Sequence, residues 1–187
     1  MDRVIRIIGI TGLAQSGKDT LASFLQNKNY NIYILPFAKA LKDEIKYHIE
    51  KSKNKKLIDA YNNMEKNDPL KRWIYQTIGT EYGRDLRGQD YWICKWCQRA
   101  LKILAMEPGV IFVVPDVRFQ NEYDFIKECG GVVIKVKNNR IKKMSHVSEN
   151  DNIPYDYVIA NHGTLSEYIS AIEILYFFMK EEIEWLK

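Results

Sequence analysis

Residues 3–20, RVIRIIGITGLAQSGKDT, restrict this chain more than any other stretch. An isoleucine-rich run over 3–10 leads into a segment with glycines at 12 and 17 and a lysine at 18. A near-continuous apolar run of that length is typical of a parallel strand buried on both faces. Gly12 and Gly17 permit turns that a side chain would block, so successive N–H groups can converge on one anion. A helix starting near Asp19 would aim its positive end at the same point. The spacing G-x-x-x-x-G-K, between a strand and a helix, is that of a phosphate-binding loop. The pattern then calls for a hydroxyl that holds magnesium, but this chain has Asp19, with Thr20 one place late. A bare carboxylate repels a polyphosphate, and a magnesium ion between them reverses that sign. Asp19 is therefore expected to hold magnesium directly or through a water; the alternative is a plain carboxylate at a helix N-terminus. Lys18 supplies a mobile charge to the outer phosphates. Thr20 lies roughly 100° further round the helix, toward an inner phosphate.

The elements that follow alternate. Strands are expected at 30–37, 110–118, 132–137 and 155–161, and helices at 38–52, 69–78, 90–104 and 119–129, with a last one from Thr164. Leu41, Ile45 and Ile49 recur at helical spacing. Asp68-Pro69 reads as an N-cap with proline at the first helical position. Thr164 and Glu167 are spaced as a capping box. Residues 51–68 are polar and lysine-rich, either a mobile segment or a solvated helical insert. Strands alternating with helices imply an α/β fold, a five-stranded, mostly parallel sheet with helices on both faces. Ligands of such sheets bind beyond the carboxyl ends of the strands. Gly12 to Thr20, Asp116 to Arg118 and the 138–150 loop all follow strands and should share that rim.

Composition narrows the class. At 187 residues, 46% hydrophobic and 28% charged, the chain suits one globular domain. A net charge of +4, with basic residues spread along the chain, gives no nucleic-acid footprint. Three cysteines and no long apolar run fit a reducing compartment and no membrane. The expected location is the cytoplasm, that of the host if the chain is viral. Cys94 and Cys97 have metal or redox spacing but fall inside a predicted helix with no second pair, so packing is the better reading.

If the acceptor of a phosphoryl group is itself a phosphate, little base catalysis is needed, because its second pKa is near ~6. Bringing two anions together is the difficulty, so cationic clamps should dominate. Arg84 in QTIGTEYGRD, which reads as a glycine-punctuated turn, Asp116 and Arg118 in PDVRFQNE, and Lys39 and Lys42 in FAKALK are the candidates. At this point SGKDT, FAKALKDEI, QTIGTEYGRD with DYW, DVRFQNE and SHVSEN, in that order, resemble the phage-type deoxynucleoside monophosphate kinases. The match runs over about 16–150, and GTEYGRD with DVRFQNE is its most specific pair.

The resemblance implies a P-loop NTPase three-layer fold in a single kinase domain. It implies a helical acceptor-binding region at about 38–106 and a lid at about 138–150. It also implies transfer from ATP, with Mg2+, to a deoxynucleoside monophosphate for DNA precursor supply. Gly12, Ala14, Gln15, Ser16, Gly17, Lys18, Asp19 and Thr20 would then hold the donor triphosphate. Lys39, Thr80, Arg84, Trp92, Arg118 and Glu122 would face the acceptor. Asp116 would sit where such folds place a magnesium-oriented carboxylate, and Arg140 in the lid would reach the transferred phosphate on closure. The chain departs from relatives that carry basic residues where it has Ala14 and Gln15.

Other readings stand beside these. Arg84 could pair with Glu81 or Asp85 on the surface, and Arg118 with Asp116 or Glu122. Lys39 could be a solvated lysine. Trp92 could stack a base or fill the core. Glu122 could order Arg118 or touch the nucleotide, and His146, Ser148 and Glu149 could be a polar loop. A kinase of dephospho-coenzyme A or phosphomevalonate, and a non-catalytic nucleotide sensor, share the donor loop. The apolar helix after Thr164 admits homodimerisation or packing on the sheet.

Overall fold

The computed structural model describes residues 5–65, 68–141 and 152–186. Its chain divides into two compact units, Met1–Pro36 with Ala100–Lys187, and Phe37–Arg99.

The first unit is built on β1 (Arg6–Thr11), β2 (Ile32–Ile34), β3 (Ile111–Val114), β4 (Val132–Lys137) and β5 (Tyr157–Ala160). All pair parallel, in the order β2-β3-β1-β4-β5. β1 and β3 are almost wholly buried, which is why their sequences show no polar alternation. The helices α1 (Lys18–Lys28) and α7 (Leu165–Glu182) cover one face, where Leu21, Leu25, Ile172 and Met179 pack on Ile8, Ile10, Ile134 and Val136. The other face carries α6 (Gln120–Glu128): a Cβ built on Gly9 would lie 2.7 Å from the Ile126 side chain. α6 is closed by Gly130 at φ 72°, a left-handed position that glycine adopts without strain. The expected fold is thus observed, with the sheet wholly parallel.

β1 lies at the centre, and the chain crosses it between β3 and β4. That reversal makes the carboxyl end of β1 the switch point of the sheet, the usual ligand position in such folds.

The second unit contains α2 (Ala38–Lys51), α3 (Lys55–Asn63), α4 (Pro69–Thr77), a π-helical stretch (Ile78–Leu86) and the start of α5 (Tyr91–Met106), which passes to the first unit at Ala100. Its core joins Leu41, Ile45, Tyr61 and Trp92. The Asp68 carboxylate accepts the N–H groups of Leu70 and Lys71 at 2.8 and 3.3 Å, as expected of an N-cap before Pro69. The lysine-rich segment is helical from Lys55 to Asn63 and buries Tyr61, whose hydroxyl meets that of Tyr75 at 3.0 Å.

One local expectation is overturned. GTEYGRD reads as a glycine-punctuated turn, yet Ile78–Leu86 is a π-helix. Its glycines serve close approach. A Cβ on Gly83 would lie 2.2 Å from Nε1 of Trp92, whose N–H donates to the Gly79 carbonyl at 2.8 Å. A wide turn of bare backbone seats the indole, and a tight loop would not.

Candidate phosphate-binding site

The loop leaving β1 alternates ordinary and left-handed backbone. Gly12 has φ 137°, Gln15 64° and Gly17 110°. A Cβ on Gly12 would lie 2.4 Å from the Val136 carbonyl oxygen of β4, so only glycine fits that crossing. Gln15 holds a left-handed conformation as a non-glycine residue, a strain of order ~1 kcal/mol. Such alternation turns successive N–H groups to one side of the chain. α1 begins at Lys18, and its N-cap is Gly17, which has no side chain to cap with. The first N–H groups of the helix and its dipole favour an anion.

Lys18 is 9% exposed, and its ammonium donates to the carbonyls of Gly12 and Leu13 at 2.8 and 2.6 Å. The lysine arches over its own loop and holds its charge there. A pocket of about 220 Å³ is lined by Gln15, Gly17, Lys18, Asp19 and Thr20. Asp19 is exposed and Thr20 half-buried on the first turn of α1. The Ser16 hydroxyl is buried and has no hydrogen-bond partner among the described residues. Ala14 completes the loop, half-buried.

Asp116 and Arg118 flank Val117, whose N–H donates to the Ile10 carbonyl of β1 at 3.2 Å. That bond sets both residues at the carboxyl end of β3, beside the strand that carries the loop. Both side chains are half-buried. Glu122 is 3% exposed; one of its oxygens accepts the N–H groups of Arg118 and Phe119 at 2.7 and 3.1 Å. It therefore orders the backbone on which Arg118 stands, and so caps α6.

Arg140, assigned by the resemblance to the transferred phosphate on closure, lies after β4. Its guanidinium donates to the backbone carbonyls of His162 and Gly163, the latter at 2.6 Å. The remaining lid expectations, with His146, Ser148 and Glu149, lie outside the described residues. Two residues that sequence reasoning missed touch the loop directly. Asn161 donates through Nδ2 to the Ser16 carbonyl at 2.9 Å, and the Tyr168 hydroxyl donates to the Gly17 carbonyl at 3.1 Å. Burial pushes the Tyr168 phenol above its ordinary pKa. The one signal for Asn161 was its place at a strand end; Tyr168 reads as an ordinary core position of its helix.

In the second unit, Arg84 is 5% exposed and donates to the Gln89 carbonyl at 3.1 Å, so it is not a surface arginine. Thr80 is half-buried in the same π-helical stretch. Trp92 is 4% exposed and donates its N–H to the Gly79 carbonyl. Lys39 is exposed and pairs with Asp43 at 2.6 Å, while Arg99 reaches the other oxygen of Asp43 at 2.5 Å. Burial alone would raise the Asp43 carboxyl, but the hydrogen bonds from Lys39 and Arg99 outweigh it and hold it below the usual range. Cys94 is exposed and Cys97 half-buried on α5. Among the described residues no group of three or more His, Cys, Asp or Glu could hold a metal, and no helix is long and apolar enough to cross a membrane.

A model of the deoxynucleotide monophosphate kinase family matches residues 41–172. A protein of Acanthamoeba polyphaga mimivirus, described as a putative deoxynucleotide monophosphate kinase, is 30% identical over 89% of this chain and 93% of its own length. With its five parallel strands, its glycine loop and this match over most of its length, the chain belongs to the deoxynucleotide monophosphate kinase family, whose members are ATP-dependent phosphotransferases.

Proposed function

We propose that this chain transfers the γ-phosphoryl group of ATP to a deoxynucleoside monophosphate, with the Gly12 to Thr20 loop as donor site. The observation that carries this is the loop itself: left-handed glycines at 12 and 17, a buried Lys18, and a helix start at the switch point of the sheet. The N–H groups of Gly17, Lys18 and the first turn of α1 receive the β and γ phosphates. Lys18 adds a positive charge that follows the γ-phosphate as it moves.

Arg118 is assigned to the acceptor phosphate. A monophosphate has a second pKa near ~6 and is already a dianion at neutral pH, so one of its oxygens attacks the γ-phosphorus without a base while ADP leaves. The protein's task is to hold the two anions in line and offset their repulsion. Lys39, Thr80 and Arg84, in the second unit, are assigned to the acceptor nucleotide on the family resemblance; Lys39 would exchange Asp43 for it.

Magnesium fits the residues present. Asp19 offers a hard, exposed carboxylate oxygen on the pocket that Lys18 lines, and Asp116 a half-buried one at the end of the neighbouring strand. Magnesium is commonly held by one or two carboxylates plus substrate phosphates, and needs no protein-only cage. When bound, it would neutralise charge on the donor phosphates.

The test is ADP formation from ATP and magnesium against the four deoxynucleoside monophosphates, their ribose counterparts and dephospho-coenzyme A. Release that depends on a deoxynucleoside monophosphate, and far less on its ribose partner, is the expected result. Release with none of them would sink the acceptor assignment.

A further inference from the structure

We infer that Asn161 and Tyr168 are positioning residues for the donor loop: they hold the carbonyls of Ser16 and Gly17 on one side, so that the N–H groups of Gly17 and Lys18 face the phosphates on the other. The inference rests on the donor-loop reading above.

A trans peptide is planar, and the N–H of one residue points opposite to the carbonyl before it. Whatever holds the Ser16 oxygen therefore aims the Gly17 N–H, and whatever holds the Gly17 oxygen aims the Lys18 N–H. Asn161 Nδ2 lies 2.9 Å from the Ser16 oxygen. The Gly17 oxygen takes two donors, the Tyr168 hydroxyl at 3.1 Å and the Leu21 N–H of α1 at 3.1 Å. Asn161 supports the Ser16 carbonyl, whereas Tyr168 shares the Gly17 carbonyl with the helix. The same two side chains press on the loop from behind: a Cβ on Gly17 would lie 2.6 Å from Asn161 Nδ2 and 3.0 Å from the Tyr168 ring. Gly17 is thus required twice, by its left-handed φ and by this contact.

The clamp stands on rigid structure. The Asn161 N–H donates to the Lys137 carbonyl of β4 at 2.8 Å. Arg140 holds the carbonyls of His162 and Gly163. The Thr164 N–H and hydroxyl both donate to the Glu167 carboxylate, at 2.6 and 2.9 Å, which starts α7. Tyr168 follows one turn later, 2% exposed. Arg140 thus ties down the two residues that follow Asn161. Groups held this way need no reordering when the anion arrives.

The test compares Asn161→Ala, Tyr168→Phe and Lys18→Ala with wild type, reading the dissociation constant of ATP by calorimetry, the separate KM values for ATP and acceptor, and the melting temperature. For Asn161→Ala, ATP binding and the KM for ATP weaken about tenfold, while the acceptor KM stays within about twofold. Tyr168→Phe moves the same way by about threefold, because Leu21 still holds the Gly17 oxygen. A purely structural role would lower the melting temperature and leave the KM for ATP in place, which overturns the inference. Should Asn161→Ala fail to fold, Tyr168→Phe decides: it keeps the buried ring, and unchanged ATP affinity in it overturns the inference. Loss of ATP binding in Lys18→Ala alone, with both other variants at wild-type affinity, rejects the clamp and keeps the donor loop. Unchanged ATP binding in Lys18→Ala rejects the donor loop and the clamp with it.

Discussion

The Lys18 ammonium sits 2.6 Å from the Leu13 carbonyl, a hydrogen bond inside the loop that the lysine itself follows. One side chain thus braces the turn and carries the charge. Lys18→Ala removes both and should lower turnover at least about 100-fold, or about 2.7 kcal/mol of transition-state stabilisation. Single-turnover kinetics at saturating ATP is the check; a variant within tenfold of wild type contradicts the role given to Lys18.

Asp19 is exposed on the wall of the same pocket. Asp19→Asn keeps its shape and removes its charge. The expected result is a magnesium titration of ADP formation displaced several-fold toward higher concentration. A superimposable titration would leave Asp19 as an N-terminal helix carboxylate and nothing more.

Gly83 faces the Trp92 indole, with 2.2 Å available where a Cβ contact needs more than 3 Å. The ring is rigid and tied to Gly79, so Gly83→Ala should destabilise by about 1–3 kcal/mol, read as a lower urea midpoint. Gly88→Ala is the comparison. It has φ 108° and nothing within 4 Å, so only backbone strain of about 1 kcal/mol applies. A larger loss at Gly88 than at Gly83 would refute the packing account.

Glu122 accepts two backbone N–H groups and is almost wholly buried. Glu122→Ala leaves both donors without it and loosens the backbone beneath Arg118. Stability should fall by about 2 kcal/mol, and kcat should fall further than the unfolded fraction explains. Equal losses in kcat and folded fraction would mean that Glu122 serves stability only.

Asp43 has a pKa lowered in the folded chain by Lys39 and Arg99. A carboxyl lowered in this way adds stability that is full above its unfolded value, near ~4, and is lost as pH falls through the folded one. Acid unfolding of Asp43→Asn should therefore be less steep below about pH 4; an identical acid profile would remove Asp43 from the account. The side chain is about a third exposed, so the effect is a small one.

Features set by neighbours in sequence were legible in advance. The Asp68 cap before Pro69 and the capping box of Thr164 and Glu167 form from contacts within a few residues, and the apolar run of β4 over Val132–Lys137 is itself a short segment. The glycine loop with its lysine was legible too, because φ and chain spacing are local properties. The alternation of elements was enough for a parallel sheet.

Features set by distant partners were not. The π-helix at Ile78–Leu86 exists beside a tryptophan that comes later in the chain, and glycine alone does not distinguish a turn from a seat for a ring. Arg84 is polar in sequence and buried in space. Arg140 finds carbonyls 22 and 23 residues away, while Asn161 and Tyr168 reach the loop across 145 and 151 residues. The sequence by itself determined the class of sheet, the anion loop and its charge, because periodicity and backbone freedom are properties of short segments. Only the tertiary structure decided which groups brace that loop, because hydrogen bonds between distant segments depend on where the sheet brings their ends together.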